Sequence, residues 1–330
     1  MAITIKELGN TGLQTSNMGL GLAALGRPGY INLGHGDDLA HDYVVEAMEG
    51  RTHRMLDLAY EKGVRYFDAA RSYGRAEQFL LSWLGNNNHQ DIVVGSKWGY
   101  IYTADWKIEA EKHEIKKHTR EVLDKQWEQS AALLPHLKLY NIHSATFDSG
   151  VLDNKEVLEK LAEIKSNGIK VGLSLSGTQQ AEVLEEAMLI RVDGRHLFDV
   201  VQATYNILEQ TMDTALTHAK EAGMGIIIKE ALANGRLTPR NKRPVFETTK
   251  IELERLCDLE GIKMDMLALA YVMSKPWADI VLSGAAVETH LSSNIAAAKV
   301  ELSTETIQSI AQLSMDTTAY WEERRSLTWN

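Results

Sequence analysis

The sequence predicts an α/β fold: a closed (β/α)8 barrel formed by residues 1–330 as one domain. Eight apolar runs of strand length follow one another, segments with apolar residues at helical spacing separate most of them, and no shift of composition divides the chain. Polar residues also close successive runs. Asp68 ends Val64 to Asp68, Lys97 ends Ile92 to Lys97, His143 ends Leu137 to His143, and Tyr73 follows five residues after Asp68. In a parallel barrel these strand ends open onto one mouth, where such barrels do their chemistry.

Taken in order, the chain enters through a short stretch that reads as an N-terminal hairpin and continues into the first strand, Met18 to Gly21. The Gly-rich segment from Gly26 to Asp38 then reads as an insertion at the mouth. After the three strands named above, the series continues with Ile169 to Ser174, Phe198 to Gln202, Gly225 to Lys229 and Ile280 to Gly284. Joints such as Ser166-Asn167-Gly168-Ile169 place a glycine where a helix C-terminus needs one, and Val157, Leu158, Leu161 and Ile164 form a helical apolar face before it. Residues 106–133 read as one charged, solvated helix, with Glu109 near Lys112 and Glu114 near Lys117. The tail from Thr317 carries Tyr320, Trp321 and Trp329, too aromatic to be free, and reads as a cover over the mouth.

Bulk properties narrow the function. A net charge of -10 argues against nucleic acid and anionic membranes as partners. The start lacks the apolar segment of a signal peptide, no run is long enough to span a bilayer, and the single cysteine, Cys257, cannot form an internal disulfide. The expectation is a cytoplasmic protein. The eleven histidines show no H-x-x-x-H pair and no cysteine partner, so no metal site is expected.

Several motifs follow in one order: Leu8-Gly9-Asn10-Thr11-Gly12-Leu13 with Met18-Gly19-Leu20-Gly21, the Asp68/Tyr73/Gly74 block, Ser96-Lys97, Ile142-His143, Gly172-Leu173-Ser174, Val201-Gln202-Ala203-Thr204-Tyr205-Asn206, and Ser283-Gly284-Ala285 through Asn294. Together they resemble the aldo-keto reductase superfamily over nearly the whole chain. The run Lys229-Glu230-Ala231-Leu232-Ala233-Asn234-Gly235-Arg236-Leu237 looks closest to its aldose and galactose dehydrogenase-like branch. The resemblance implies a TIM barrel and a nicotinamide-dependent oxidoreductase that interconverts carbonyls (aldehydes, ketones or aldoses) and alcohols or lactones. A regulatory or binding protein on the same fold is the alternative, disfavoured by the intact Asp68, Tyr73, Lys97 and His143.

Reducing a carbonyl needs a proton donor that stays protonated until transfer. Tyr73 is the expected acid, with Lys97 lowering its pKa, Asp68 holding Lys97, and His143 donating to the carbonyl oxygen. In the oxidative direction Tyr73 becomes the base.

The cofactor residues are implied by the family. Ser174 and Gln202 match positions that hold the nicotinamide carboxamide, Lys229 stands where many members stack an aromatic ring, and Leu175 replaces the usual Asn. Leu232, Gly235 and Arg236 after the seventh strand, with Ser283, Gly284, His290 and Asn294 after the eighth, complete the expected cofactor set. Arg236, Arg240, Lys242 and Arg243 are expected to face the pyrophosphate. The segment 284–294 contains no Lys or Arg to bind an adenosine 2′-phosphate, which leans the expectation from NADP towards acceptance of NAD. Trp98, Tyr100 and Trp329 are expected to wall the substrate pocket.

Overall fold

The computed structural model describes residues 3–330. A two-stranded antiparallel hairpin, β1 (Ile5–Glu7) and β2 (Gln14–Ser16), precedes the first barrel strand, β3 (Met18–Gly21). Next come β4 (Tyr66–Asp68), β5 (Val93–Trp98), the short pair β6 (Tyr100–Tyr102) and β7 (Glu114–Lys116), then β8 (Leu137–Ala145) and β9 (Lys170–Leu175). A small pair, β10 (Arg191–Val192) and β11 (Arg195–His196), precedes β12 (Val200–Thr204), β13 (Gly225–Lys229) and β14 (Ile280–Ser283). The closed order is β3-β4-β5-β8-β9-β12-β13-β14, with every pairing parallel and β14 returning to β3. All eight strands expected from the sequence form the barrel, with ends moved by at most two residues.

The strands are buried on both faces, which is why they read as continuous apolar runs rather than alternating ones. Inside the lower barrel, Tyr66, Val93, Leu139, Val200, Ile227, Ile280 and Leu282 pack together with Leu8, delivered by the hairpin. The hairpin plugs the end opposite the mouth, because Asn10 N–H donates to the Gly223 carbonyl at 2.8 Å, just before β13 begins. Helices pack outside. The helix Lys155–Ser166 starts where the Asn154 side chain accepts from Val157 N–H, and Gly168 beyond its end takes φ 88°, the left-handed turn that favours glycine.

One expectation fails. Residues 106–133 are not a single helix: β6 and β7 form a hairpin, and the helix runs only over Arg120–Ser130, where Thr119 caps its first turn. Ile101 and Ile115 pair across the hairpin, and Glu114 is drawn into an ion pair with Arg27 instead of Lys117. Among the described residues no helix is long and apolar enough to cross a membrane.

Candidate active site

Asp68 is the last residue of β4, and Lys97 lies in β5, one strand over. The Lys97 ammonium donates to Asp68 Oδ2 at 2.5 Å and to the Ala69 carbonyl at 2.8 Å. The other Asp68 oxygen accepts from Gln202 Nε2 at 2.9 Å and from the Tyr66 hydroxyl at 3.2 Å. Both ions are about 98% buried, a placement tolerated only because charge and hydrogen bonds are matched.

Tyr73 hangs over this pair from the turn after β4. That turn comes within reach of the insertion because Gly74, at φ 57°, lets the backbone touch Gly26, where a Cβ would sit 2.4 Å from the Gly26 carbonyl oxygen. The Lys97 ammonium is 4.8 Å from the centre of the Tyr73 ring, and the His143 ring stands edge-on to it at 5.5 Å. The four expected catalytic residues therefore meet.

Their electrostatics depart from expectation. Burial and then the Asp68 carboxylate push the Tyr73 phenol well above its usual range, while Lys97 is paired with Asp68. The strongest cation acting against them is Arg27, from the Gly-rich insertion, which sequence reasoning missed. Its guanidinium is buried among the rings of Tyr73, Tyr30 and Trp329, at 5.3, 5.2 and 4.8 Å, and it donates to the Ser72 carbonyl and to Glu114. Its place as the one Lys or Arg between Gly26 and Asp38 was its only signal. Burial, then the charges of Lys97, Arg27 and Lys229, hold His143 well below the usual imidazole range, so it is neutral and carries one ring N–H. The His143 carbonyl accepts from His118 Nε2 at 2.9 Å.

A cavity of about 900 Å3 runs from this cluster across the mouth. Tyr73, Tyr100, His143 and Trp329 bound one end; Gln202, Lys229, Leu232 and Gly235 follow; Ser283, Gly284, His290 and Asn294 line the far end. Three expected residues lie elsewhere. Trp98 is fully buried in the core between barrel and helices because its ring turns outward from the mouth. Ser174 does not border the cavity: its hydroxyl accepts from Ser144 N–H at 2.8 Å, and Ser144 and Ser176 form the wall instead. Arg236 is fully buried, paired with Glu323 and stacked on Tyr320.

The arginines of the basic cluster are likewise spent, and Lys242 does not border the cavity. Arg243 shares Glu323 with Arg236, and Arg240 forms a two-pronged pair with Asp38 of the insertion. Sequence spacing could not show these carboxylates, which lie far away along the chain. Lys229 donates to Thr204 Oγ1 at 2.6 Å, and burial brings its ammonium down to about 8. Burial pushes the neighbouring Glu230 up, but Arg324 and Lys229 outweigh it and hold that carboxyl at about 2. Glu288 lies 3.9 Å from Arg54 and does not line the cavity, whereas Lys263, Glu254, Asp258 and Asp265 do.

The residues present fit a dinucleotide. Among the described residues, Gln202 Oε1, Asn234 Oδ1, Ser293 Oγ and Asn294 Oδ1 are buried without a partner, and all four side chains line this cavity. Gln202, fixed through its amide nitrogen to Asp68, offers an acceptor to a carboxamide N–H. Asn294 is fixed the same way, donating to Ser283 Oγ at 2.8 Å, and offers an acceptor at the other end.

Comparison with known proteins gives a consistent picture. Residues 18–315 match the model of the Aldo/keto reductase family. The chain is 25% identical to L-galactose dehydrogenase of Arabidopsis thaliana, over 99% of this chain and 97% of that one. It is 23% identical to norsolorinic acid reductase B of Dothistroma septosporum, over 78% of this chain and 70% of that one. The fold is similar to that of the holo form of aldo-keto reductase AKR11C1 from Bacillus halodurans, with TM-score 0.73 and 21% identity over 94% of this chain and 96% of that one.

Proposed function

Because the chain belongs to the aldo/keto reductase family and is an oxidoreductase of that family, we propose that it interconverts carbonyls (aldehydes, ketones or aldoses) and alcohols or lactones with NAD(H) or NADP(H), using Tyr73 as proton donor and acceptor. The observation that carries the proposal is the meeting of Asp68, Tyr73, Lys97 and His143 at one end of a cavity whose floor presents unpartnered amide oxygens.

Gln202 and Asn294 would hold the two ends of the dinucleotide, with Leu232, Gly235, Ser283 and Gly284 between them. When bound, the reduced nicotinamide supplies the hydride. The protein does the rest. Tyr73, kept protonated by burial and by Asp68, holds a proton for the carbonyl oxygen, and the single N–H of neutral His143 donates to the same oxygen and orients it. Lys97 and Asp68 position the phenol from below. Tyr30, Tyr100 and Trp329 exclude water from the reacting end.

NAD(H) is accepted at least as well as NADP(H) in this reading. The segment 284–294 offers only His290, Arg240 is committed to Asp38, and the carboxylates of Glu254, Asp258 and Asp265 outnumber Lys263 at the far end of the cavity. The proposal is tested by following reduced nicotinamide absorbance in both directions, with both cofactors, against small aldehydes, diketones and aldoses. Absence of turnover with the whole panel, in a protein that binds NADH, would favour the binding-protein alternative.

A further inference from the structure

Beside the catalytic cavity lies a second compartment of about 590 Å3, between the β6–β7 hairpin, the turns after β8 and β9, and the tail helix Thr317–Arg325. The two compartments share Ser176, Arg324 and Arg325, so one molecule can span both. Three cations line the second compartment in a protein that is acidic overall. Two are answered: Arg324 by Glu230, and Lys116 by the field of Asp148 and by its hydrogen bond to the Ser144 carbonyl. Arg325 is exposed and makes no ion pair or hydrogen bond among the described residues.

Two buried polar atoms in this wall also lack a partner among the described residues: Trp321 Nε1 and His118 Nδ1, on side chains only 4% and 7% exposed. A buried polar group without a partner costs about 1–3 kcal/mol, which a ligand or water that reaches it would relieve. Their polarities differ. The indole N–H can only donate. His118 gives its Nε2 hydrogen to the His143 carbonyl, which leaves Nδ1 as an acceptor in the neutral ring. The wall therefore asks for one negative charge, one acceptor facing the indole, and one hydroxyl facing the imidazole.

We propose that this compartment binds the acidic end of a hydroxylated monocarboxylate, with the carboxylate on Arg325 and Trp321 Nε1 and a hydroxyl on His118 Nδ1. The inference rests on the carbonyl oxidoreductase reading in that the reacting end of the same molecule lies between Tyr73 and His143; the preferred substrates are then sugar acids that carry a carbonyl. A single uncompensated cation suits a monoanion better than a phosphate dianion.

Two measurements test it. Calorimetry with D-galactonate and galactitol, which differ in a carboxylate and cannot be reduced at a carbonyl, should show the acid binding at least about tenfold tighter. Arg325→Ser should erase that difference, and Trp321→Phe should reduce it about threefold. In parallel, D-galacturonate should exceed D-galactose in kcat/KM by about tenfold in the wild type and match it in Arg325→Ser. Equal binding of the acid and the polyol, or an acid preference that survives Arg325→Ser, would overturn the proposal. Acid binding that depends on Arg325, without turnover of any carbonyl, would sustain this site and refute the carbonyl oxidoreductase reading instead.

Discussion

The Arg27 guanidinium carbon stands 5.3 Å from the centre of the Tyr73 ring, closer to the phenol than sequence order suggested any cation other than Lys97 would be. Arg27 lowers the Tyr73 pKa against the larger upward pull of burial and Asp68. Arg27→Met should therefore move the phenol further up and shift the rising limb of the oxidation profile to higher pH. Alcohol oxidation followed against pH in the variant checks this; an unmoved limb would remove Arg27 from the tuning of Tyr73.

Lys97 and Asp68 are a buried pair, so removing one partner strands the other. Lys97→Met should lower folding stability by about 3–5 kcal/mol, while Lys97→Met combined with Asp68→Asn should recover most of that and remain catalytically impaired. Urea denaturation of both variants distinguishes a structural cost from a catalytic one. Similar stability in the single variant and the wild type would contradict the pairing.

Glu230 is a carboxylate held at about 2, against an ordinary value of 4.5, by Arg324 and Lys229 working against burial. A depressed carboxylate stabilises the fold fully above the unfolded value and loses that contribution as pH falls through the folded value. The stability advantage of wild type over Glu230→Gln should thus be constant from about pH 5 to about pH 7, below the titration of Lys229, and shrink steadily towards pH 2. Thermal unfolding across that window gives the slope, and a gap that does not vary with pH would show that Glu230 is not ionised in the fold.

The tail is tied to the insertion where Tyr30 and Asn330 exchange backbone hydrogen bonds of 3.2 and 3.1 Å, where the Asn330 side chain donates to the Asn32 carbonyl and accepts from Gly36 N–H, and where Arg27 packs on Trp329, while Trp329 stacks on His113 at 3.9 Å. Deleting residues 326–330 should change relative kcat/KM among substrates by about tenfold or more, with a Tm change of only a few degrees. A large Tm loss with unchanged preference would make the tail a structural cover.

Cofactor choice is tested by kinetics. The KM for NADP(H) should not fall more than about tenfold below that for NAD(H), and Lys263→Ala should weaken NADP(H) alone, by about tenfold. A strong preference for the phosphorylated cofactor that survives Lys263→Ala would place the phosphate beside another cation.

Local signals in the chain were enough for the barrel and for the meeting of Asp68, Tyr73, Lys97 and His143, because strand ends are set by contiguous residues: Asp68, Lys97 and His143 each close an apolar run, and parallel closure brings such ends together. What depended on distant partners was hidden. The Arg236–Glu323, Arg240–Asp38 and Arg27–Glu114 pairs join residues about 90 to 200 positions apart in sequence, so the basic cluster read as free and Arg27 went unnoticed. Trp98 misled for a simpler reason. It directly follows Lys97, and in a strand alternate side chains face opposite ways, so a residue next to one facing the mouth turns into the core.

The central claim is that Tyr73 transfers the proton, and Tyr73→Phe tests it most directly, because the ring and its packing remain while the hydroxyl is lost. Single-turnover reduction of a carbonyl substrate, measured beside NADH binding by fluorescence, should show the chemical step slowed by about a hundredfold to ten-thousandfold and the NADH Kd unchanged within about twofold. Turnover at the wild-type rate in Tyr73→Phe, with NADH still bound, would contradict the claim.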